Sequence, residues 1–187
     1  FLSSIFNGYA YFLSSTFNGY ANFGSSTFNS DANFRIDTFS KEADLSEAVF
    51  KGHTSFNNSQ FNGNAFFKNT TFESELSLTD TTYNKLIIRW HNIKRFVYDD
   101  AAYMSLMKNF KNLGYFEDYD SCYFQYRKEH RSQPWPGVND WEEWPRKLID
   151  YPLQWFYGYG TKPFNAFLWS LGIVIAFFLY WWWVGLG

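Results

Sequence analysis

The 187-residue chain has one cysteine, Cys122. That excludes an intrachain disulfide framework and a multi-cysteine zinc site. It also has almost no net charge: 16 basic and 18 acidic side chains leave −2. A protein-wide field toward nucleic acid is therefore absent. No charge occurs after Lys162. The sequence given begins at Phe1, without a methionine or a signal-peptide pattern at its start. The chain opens inside a repeat and closes inside an apolar run, so it reads as a fragment cut at both ends.

Catalytic constellations are lacking too. His53, His91 and His130 stand far apart in sequence and read as surface or packing histidines. Cys122 falls on an apolar stripe, where a buried thiol is expected rather than a nucleophile. The acidic run Glu117, Asp118, Asp120 opens a helix and suits its dipole better than a metal. The expectation is a non-enzymatic protein with no cofactor, no metal and no catalytic residues.

What the chain does have is aromatics, at 25% of residues. Phe recurs at 1, 6, 12, 17, 23, 28, 34, 39, 50, 56, 61, 67 and 72, with Leu45, Leu78 and Tyr83 in the same series. The steps alternate five and six residues, a true period of eleven. Such steps scatter around a helix and change face along a strand. A short extended segment followed by a turn, repeated, returns every Phe inward. A second register agrees. Two residues before each Phe sits a small residue, such as Ala10, Ala21 and Ala32 or Ser4, Ser15 and Ser26. Asp37 and Leu76 break that register, and an inward Asp37 requires a hydrogen-bonding partner. Turn residues follow the Phe as Asn7-Gly8, Asn18-Gly19 and Asn62-Gly63, pairs that tolerate positive φ.

Residues 1–86 thereby resemble the pentapeptide-repeat family, in its form with a central Phe and alternating five/six spacing. The resemblance implies a mainly β fold: a right-handed, four-sided β-helix with 22 residues per coil. Phe1, Phe23, Leu45 and Phe67 would then stack in one ladder, and Phe6, Phe28, Phe50 and Phe72 in another. Some members mimic DNA, which needs a strongly acidic rod. Residues 1–86 carry eight acidic and five basic side chains, so no nucleic-acid role is expected. A broken outward row of Thr16, Thr27, Thr38, Thr71 and Thr82 reads as ordinary surface, because Val49 and Gln60 interrupt it.

The rest divides by pattern. Residues 1–98 are expected to be the solenoid with a C-terminal cap, in which Leu86, Ile87, Ile88, Trp90, Ile93 and Phe96 close the last layer. Residues 99–131 read as a helical hairpin. Tyr103, Leu106, Met107, Phe110 and Leu113 lie on one face, with Asp99 or Asp100 to start it and Gly114 to end its first helix. "QPWPG" at 133–137 breaks the helix. Residues 138–160 read as an interfacial amphipathic helix carrying Trp141, Trp144, Tyr151 and Trp155. Residues 163–185 are long enough to cross a bilayer. Arg127, Lys128, Arg131, Arg146, Lys147 and Lys162 precede that span, and the positive-inside rule puts them, with the solenoid, in the cytoplasm of a cell-membrane protein.

"KNFKNLGYFEDYDSCYFQYRKEHR" (108–131) further resembles the segment after the solenoid in a membrane group of pentapeptide-repeat proteins that carries an ion-channel-like two-helix region. This implies the cytoplasmic module of a potassium-channel-like protein, which would be a homo-oligomer. "YGYG" at 157–160 is not its filter, because it precedes the span. The alternative is a membrane-tethered scaffold with no pore that offers a solenoid face to a protein partner. The lipid bilayer is a partner in both.

Overall fold

The computed structural model describes residues 1–134, 140–161 and 163–185. Two compact units result, Phe1–Tyr123 and Phe124–Gly187.

In the first unit, strands of two residues recur at Ile5–Phe6, Ala10–Tyr11, Thr16–Phe17 and Ala21–Asn22, four to a coil. Each pairs in parallel with the strand one coil on. Ile5 lies opposite Thr27, Thr27 opposite Val49, and Val49 opposite Thr71. The other three sides follow the same rule: Ala10 to Ala32 to Thr54 to Leu76; Thr16 to Thr38 to Gln60 to Thr82; Ala21 to Ala43 to Ala65 to Leu86. The result is a four-sided β-solenoid of about four turns. Later strands lengthen, as at Gln60–Phe66 and Thr71–Ser77, and run around a corner.

The Phe ladders fill the interior. Phe6 stacks on Phe28 with ring centroids 4.5 Å apart, Phe28 on Phe50 at 4.5 Å, and Phe50 on Phe72 at 5.1 Å. Phe17, Phe39 and Phe61 stack in the same way, as do Phe12, Phe34 and Phe56. These spacings follow the separation of neighbouring strands, about 4.8 Å. Neighbouring ladders meet edge-to-face, as at Phe23 and Phe34. From Phe23 onward the ladder residues Phe23, Phe28, Phe34, Phe39, Leu45, Phe50 and Phe56 are fully buried. Each such side chain stabilises by about 2–3 kcal/mol on leaving water.

The corners differ from expectation. Positive φ falls at Ser3, Ser14, Ser25, Ile36, Glu47, Asn58, Asn69 and Asp80, once every eleven residues. These lie in the five-residue steps, where Ser26 N–H bonds Phe23 O, Ala48 N–H bonds Leu45 O and Thr70 N–H bonds Phe67 O. That is the type II turn, whose third residue is left-handed. Gly8, Gly19 and Gly63 do not have positive φ. The six-residue step has one more residue and bends without one. A Cβ on Gly8 or Gly19 would meet nothing within 4 Å, whereas Gly63 and Gly52 serve close approach. A Cβ on Gly63 would lie 2.6 Å from Glu42 N of the coil before, and one on Gly52 2.5 Å from Asp31 N.

The last coil is closed by a 3-10 turn, Trp90–Asn92, the strand Ile93–Phe96 and α1, Asp100–Leu113. Asp99 caps α1 by accepting from Ala102 N, and Gly114 ends it at φ 74°. Tyr103, Leu106, Met107 and Phe110 are buried beneath it. Asn109 makes two bonds to Leu86, accepting from its N–H at 3.1 Å and donating to its carbonyl at 2.8 Å. A side-chain amide here takes the place of the next rung. Ser105 donates to the Tyr83 hydroxyl at 2.9 Å, and burial pushes that phenol up to about 12. Helix α2 is Phe116–Ser132. Its Asp118, read from sequence as a dipole partner, is a buried carboxylate that accepts from Trp90 N and from Arg89 Nε, both at 2.7 Å.

Candidate functional site

The second unit holds the C-terminal part of α2, then α3 (Asp140–Tyr157), a 3-10 turn (Gly158–Gly160) and α4 (Pro163–Gly185). Phe164–Gly185 is long and apolar enough to cross a membrane: its most apolar 18-residue stretch has a mean hydropathy of 1.8, and none of that stretch is buried inside the protein. At 1.5 Å per residue α4 is about 34 Å long, the thickness of a hydrocarbon core. Its polar Ser170 bonds back to Ala166 O at 2.9 Å, so that hydroxyl is satisfied within the helix. Residues 135–139 and Lys162 lie outside the described residues, so the break is described only at Gln133 and Pro134, after α2 ends at Ser132.

At the α4 entrance the chain turns sharply. Gly158, Tyr159 and Gly160 all have positive φ, at 58°, 57° and 89°. Tyr159 is the costly one, since a left-handed non-glycine residue is disfavoured by about 1–2 kcal/mol. Two arginines of α2 hold it. The Arg127 guanidinium lies 4.8 Å from the centre of its ring, and Arg131 Nη1 donates to its hydroxyl at 3.2 Å. Burial, then the charge of Asp150, raises the Tyr159 phenol above its ordinary range.

The two arginines differ in their partners. Arg127 pairs with Asp150 at 2.6 Å. Arg131 donates to Gln154 Oε1 at 2.7 Å and lies 4.2 Å from the centre of the Tyr151 ring. Among the described residues, no carboxylate forms an ion pair with Arg131. Beside it opens an apolar groove of about 800 Å³, lined by Phe124, Tyr151, Pro152, Gln154, Trp155 and Phe156, with Asn165 of α4. Trp155 and Phe156 pack on Trp169 of α4, at 4.2 and 5.2 Å between ring centres. The exposed Trp141, Trp144, Leu148 and Ile149 give the rest of α3 an apolar aspect.

The residues weighed as catalytic or metal-binding are dispersed. His53 lies 3.6 Å from Glu75, which also takes Arg95 at 2.9 Å; the bond from Arg95 holds that carboxyl below its usual range. His91 stands in the 3-10 turn before the last strand, and His130 packs on Tyr126. Cys122 is buried. Among the described residues, no three His, Cys, Asp or Glu side chains form a group fit for a metal ion.

Residues 38–82 match the family described as "Pentapeptide repeats (9 copies)". Over those residues the rod carries pentapeptide repeats. The match covers the second half of the solenoid, and the same ladders continue unbroken toward Phe1. No curated protein and no solved structure matches the chain.

Sequence reasoning passed over Arg131, Gln154 and Tyr159. Arg131 stood among several cations that served only to orient the span. A signal was present: Arg127 and Arg131 are four residues apart, which puts them on one helical face.

Proposed function

We propose that this chain is a membrane-anchored, non-enzymatic scaffold. α4 crosses the lipid bilayer, and the pentapeptide-repeat solenoid stands on the cytoplasmic side, where its flat faces bind a protein partner. One observation carries this reading: α4 is apolar on every side, yet no part of it is buried inside the protein. A helix of that kind is stable in the core of a large protein or in lipid. The described residues offer it no core. The exposed aromatics of α3 suit the interfacial layer next to such a span. Arg127, Lys128 and Arg131 flank it on the solenoid side, which supports the cytoplasmic orientation.

Alkaline carbonate washing of membranes from cells expressing the full chain tests the anchor. The chain should stay in the pellet. Ile173→Lys with Phe177→Lys should release it, since each lysine costs about 2.5–3.5 kcal/mol near a helix centre. Unsubstituted chain in the soluble fraction would overturn the reading. Affinity capture on the detergent-solubilised chain tests for a protein partner. The finer reading, the cytoplasmic module of a potassium-channel-like homo-oligomer, draws its support from the resemblance of residues 108–131. Potassium conductance from the complete open reading frame in planar bilayers would favour it over a scaffold without a pore.

A further inference from the structure

Arg131 is a cation held by neutral groups. Gln154 Oε1 and the Tyr159 hydroxyl both accept from Nη1, and the Tyr151 ring faces the guanidinium. Nε and Nη2 take no partner among the described residues. They form the planar fork that matches two oxygens of a phosphate. Two of the residues that hold Arg131, Tyr151 and Gln154, also line the apolar groove. Asn165, in the first turn of α4, lines it too. An apolar cleft and a phosphate-matched cation therefore adjoin at the mouth of the helix assigned to the bilayer. Nearby carboxylates do not supply the missing charge. Asp150 pairs with Arg127, and Glu129 accepts from Gln125.

We propose that this groove seats an acyl chain of an anionic phospholipid and that Arg131 takes the phosphate of the same molecule. The inference rests on the membrane reading above. The groove then lies at the depth where headgroup gives way to hydrocarbon, continuous with the lipid-facing surface of α4. Its volume of about 800 Å³ is of the size that holds a small organic ligand, about 300–1,000 Å³. Trp155 and Phe156 present aromatic faces to the chain, and Gln154 and Tyr159 hold the guanidinium in place before the lipid arrives.

The test uses the full chain in neutral micelles, titrated with phosphatidylglycerol or phosphatidylcholine carrying brominated acyl chains. Quenching of tryptophan fluorescence reports occupancy, since Trp155 lines the groove. Phosphatidylglycerol should bind about tenfold more tightly, the scale of one charge-assisted hydrogen bond. Arg131→Gln should reduce its affinity to that of phosphatidylcholine. Lys128→Gln, an exposed cation one turn away, should leave the preference in place. Equal affinity for the two lipids would overturn the proposal, and that comparison needs no variant to fold. Loss of the preference in Lys128→Gln with retention in Arg131→Gln would overturn it as well. Insertion into phosphatidylcholine vesicles separates the two levels: a chain that inserts without preference refutes the lipid site alone, whereas a chain that does not insert refutes the membrane reading.

Discussion

Asp37 is the residue most at odds with its surroundings. It occupies an inward position that the other turns give to Ser or Thr, apart from Ala48. There the hydroxyl reaches the carbonyl of the ladder residue one coil and one turn back: Ser26 to Phe1, Ser59 to Phe34, Thr70 to Leu45, Thr81 to Phe56. Asp37 accepts from Ser15 N at 2.7 Å through Oδ1, while Oδ2 is buried with no hydrogen-bond partner. Burial pushes its carboxyl up to about 6, from 3.8. The folded state thus holds a proton that the unfolded state has lost between about pH 4 and 6. Stability falls as pH rises through that window, and the penalty is complete above it. Asp37→Ser restores the common pattern, since Ser26 both accepts from Ser4 N and donates to Phe1 O. The variant should match the parent near pH 4 and exceed it by about 1–2 kcal/mol at pH 7, measured by urea unfolding. Ile36 next to it is a β-branched residue at φ 62°, half exposed. Ile36→Asn should stabilise by about 1 kcal/mol, read as a rise of a few degrees in Tm.

Elements were legible to different depths. The Phe and small-residue registers are local and repeated, so they specified the ladders before any coordinates. Asn22, Asn33 and Asp44 carried a further signal at the same eleven-residue interval. Each accepts from the N–H two residues on and leads the chain into the tight corner. The Asn-Gly pairs misdirected the turn assignment: none of their glycines has positive φ, and Gly63 alone among them sits where a Cβ would meet the backbone of the neighbouring coil. The Tyr103, Leu106, Met107, Phe110 face was readable from helical spacing. The roles of Asn109 and Asp118 were not, since their partners Leu86 and Trp90 lie 23 and 28 residues away. The groove and Arg131 were hidden for the same reason. Asn109→Ala leaves the N–H of Leu86 buried without a partner and its carbonyl with only the bond from Ile88 N. It should destabilise the first unit by about 1–3 kcal/mol in thermal unfolding. Asn109→Asp, nearly the same shape, should also destabilise, because a carboxylate cannot donate to Leu86 O.

At the scale of the whole molecule, the first unit is nearly one-dimensional. Each coil contacts the coil before and the coil after, so protection should grade along the rod. The first coil has Phe1 and Leu2 exposed, whereas the last is covered by α1. Native-state hydrogen exchange on this chain should show amides of residues 1–22 exchanging first and those of 45–86 last. Uniform exchange across all coils would show that the rod opens as a single cooperative block. The second unit follows another logic, since its longest helix packs on α3 only near its start, through Trp169, and leaves the rest of its apolar surface exposed.

The two periods of the solenoid have a consequence for its inheritance. Corners repeat every eleven residues, whereas a side chain meets its like only after 22. A duplication of 22 codons anywhere in the rod therefore adds one full rung and leaves every ladder aligned. An insertion of eleven keeps the corners but rotates all later coils by half a circuit, and so swaps the faces they show. Lineages can lengthen the rod by one step or re-aim its far end by the other, with the cap and the anchor unchanged.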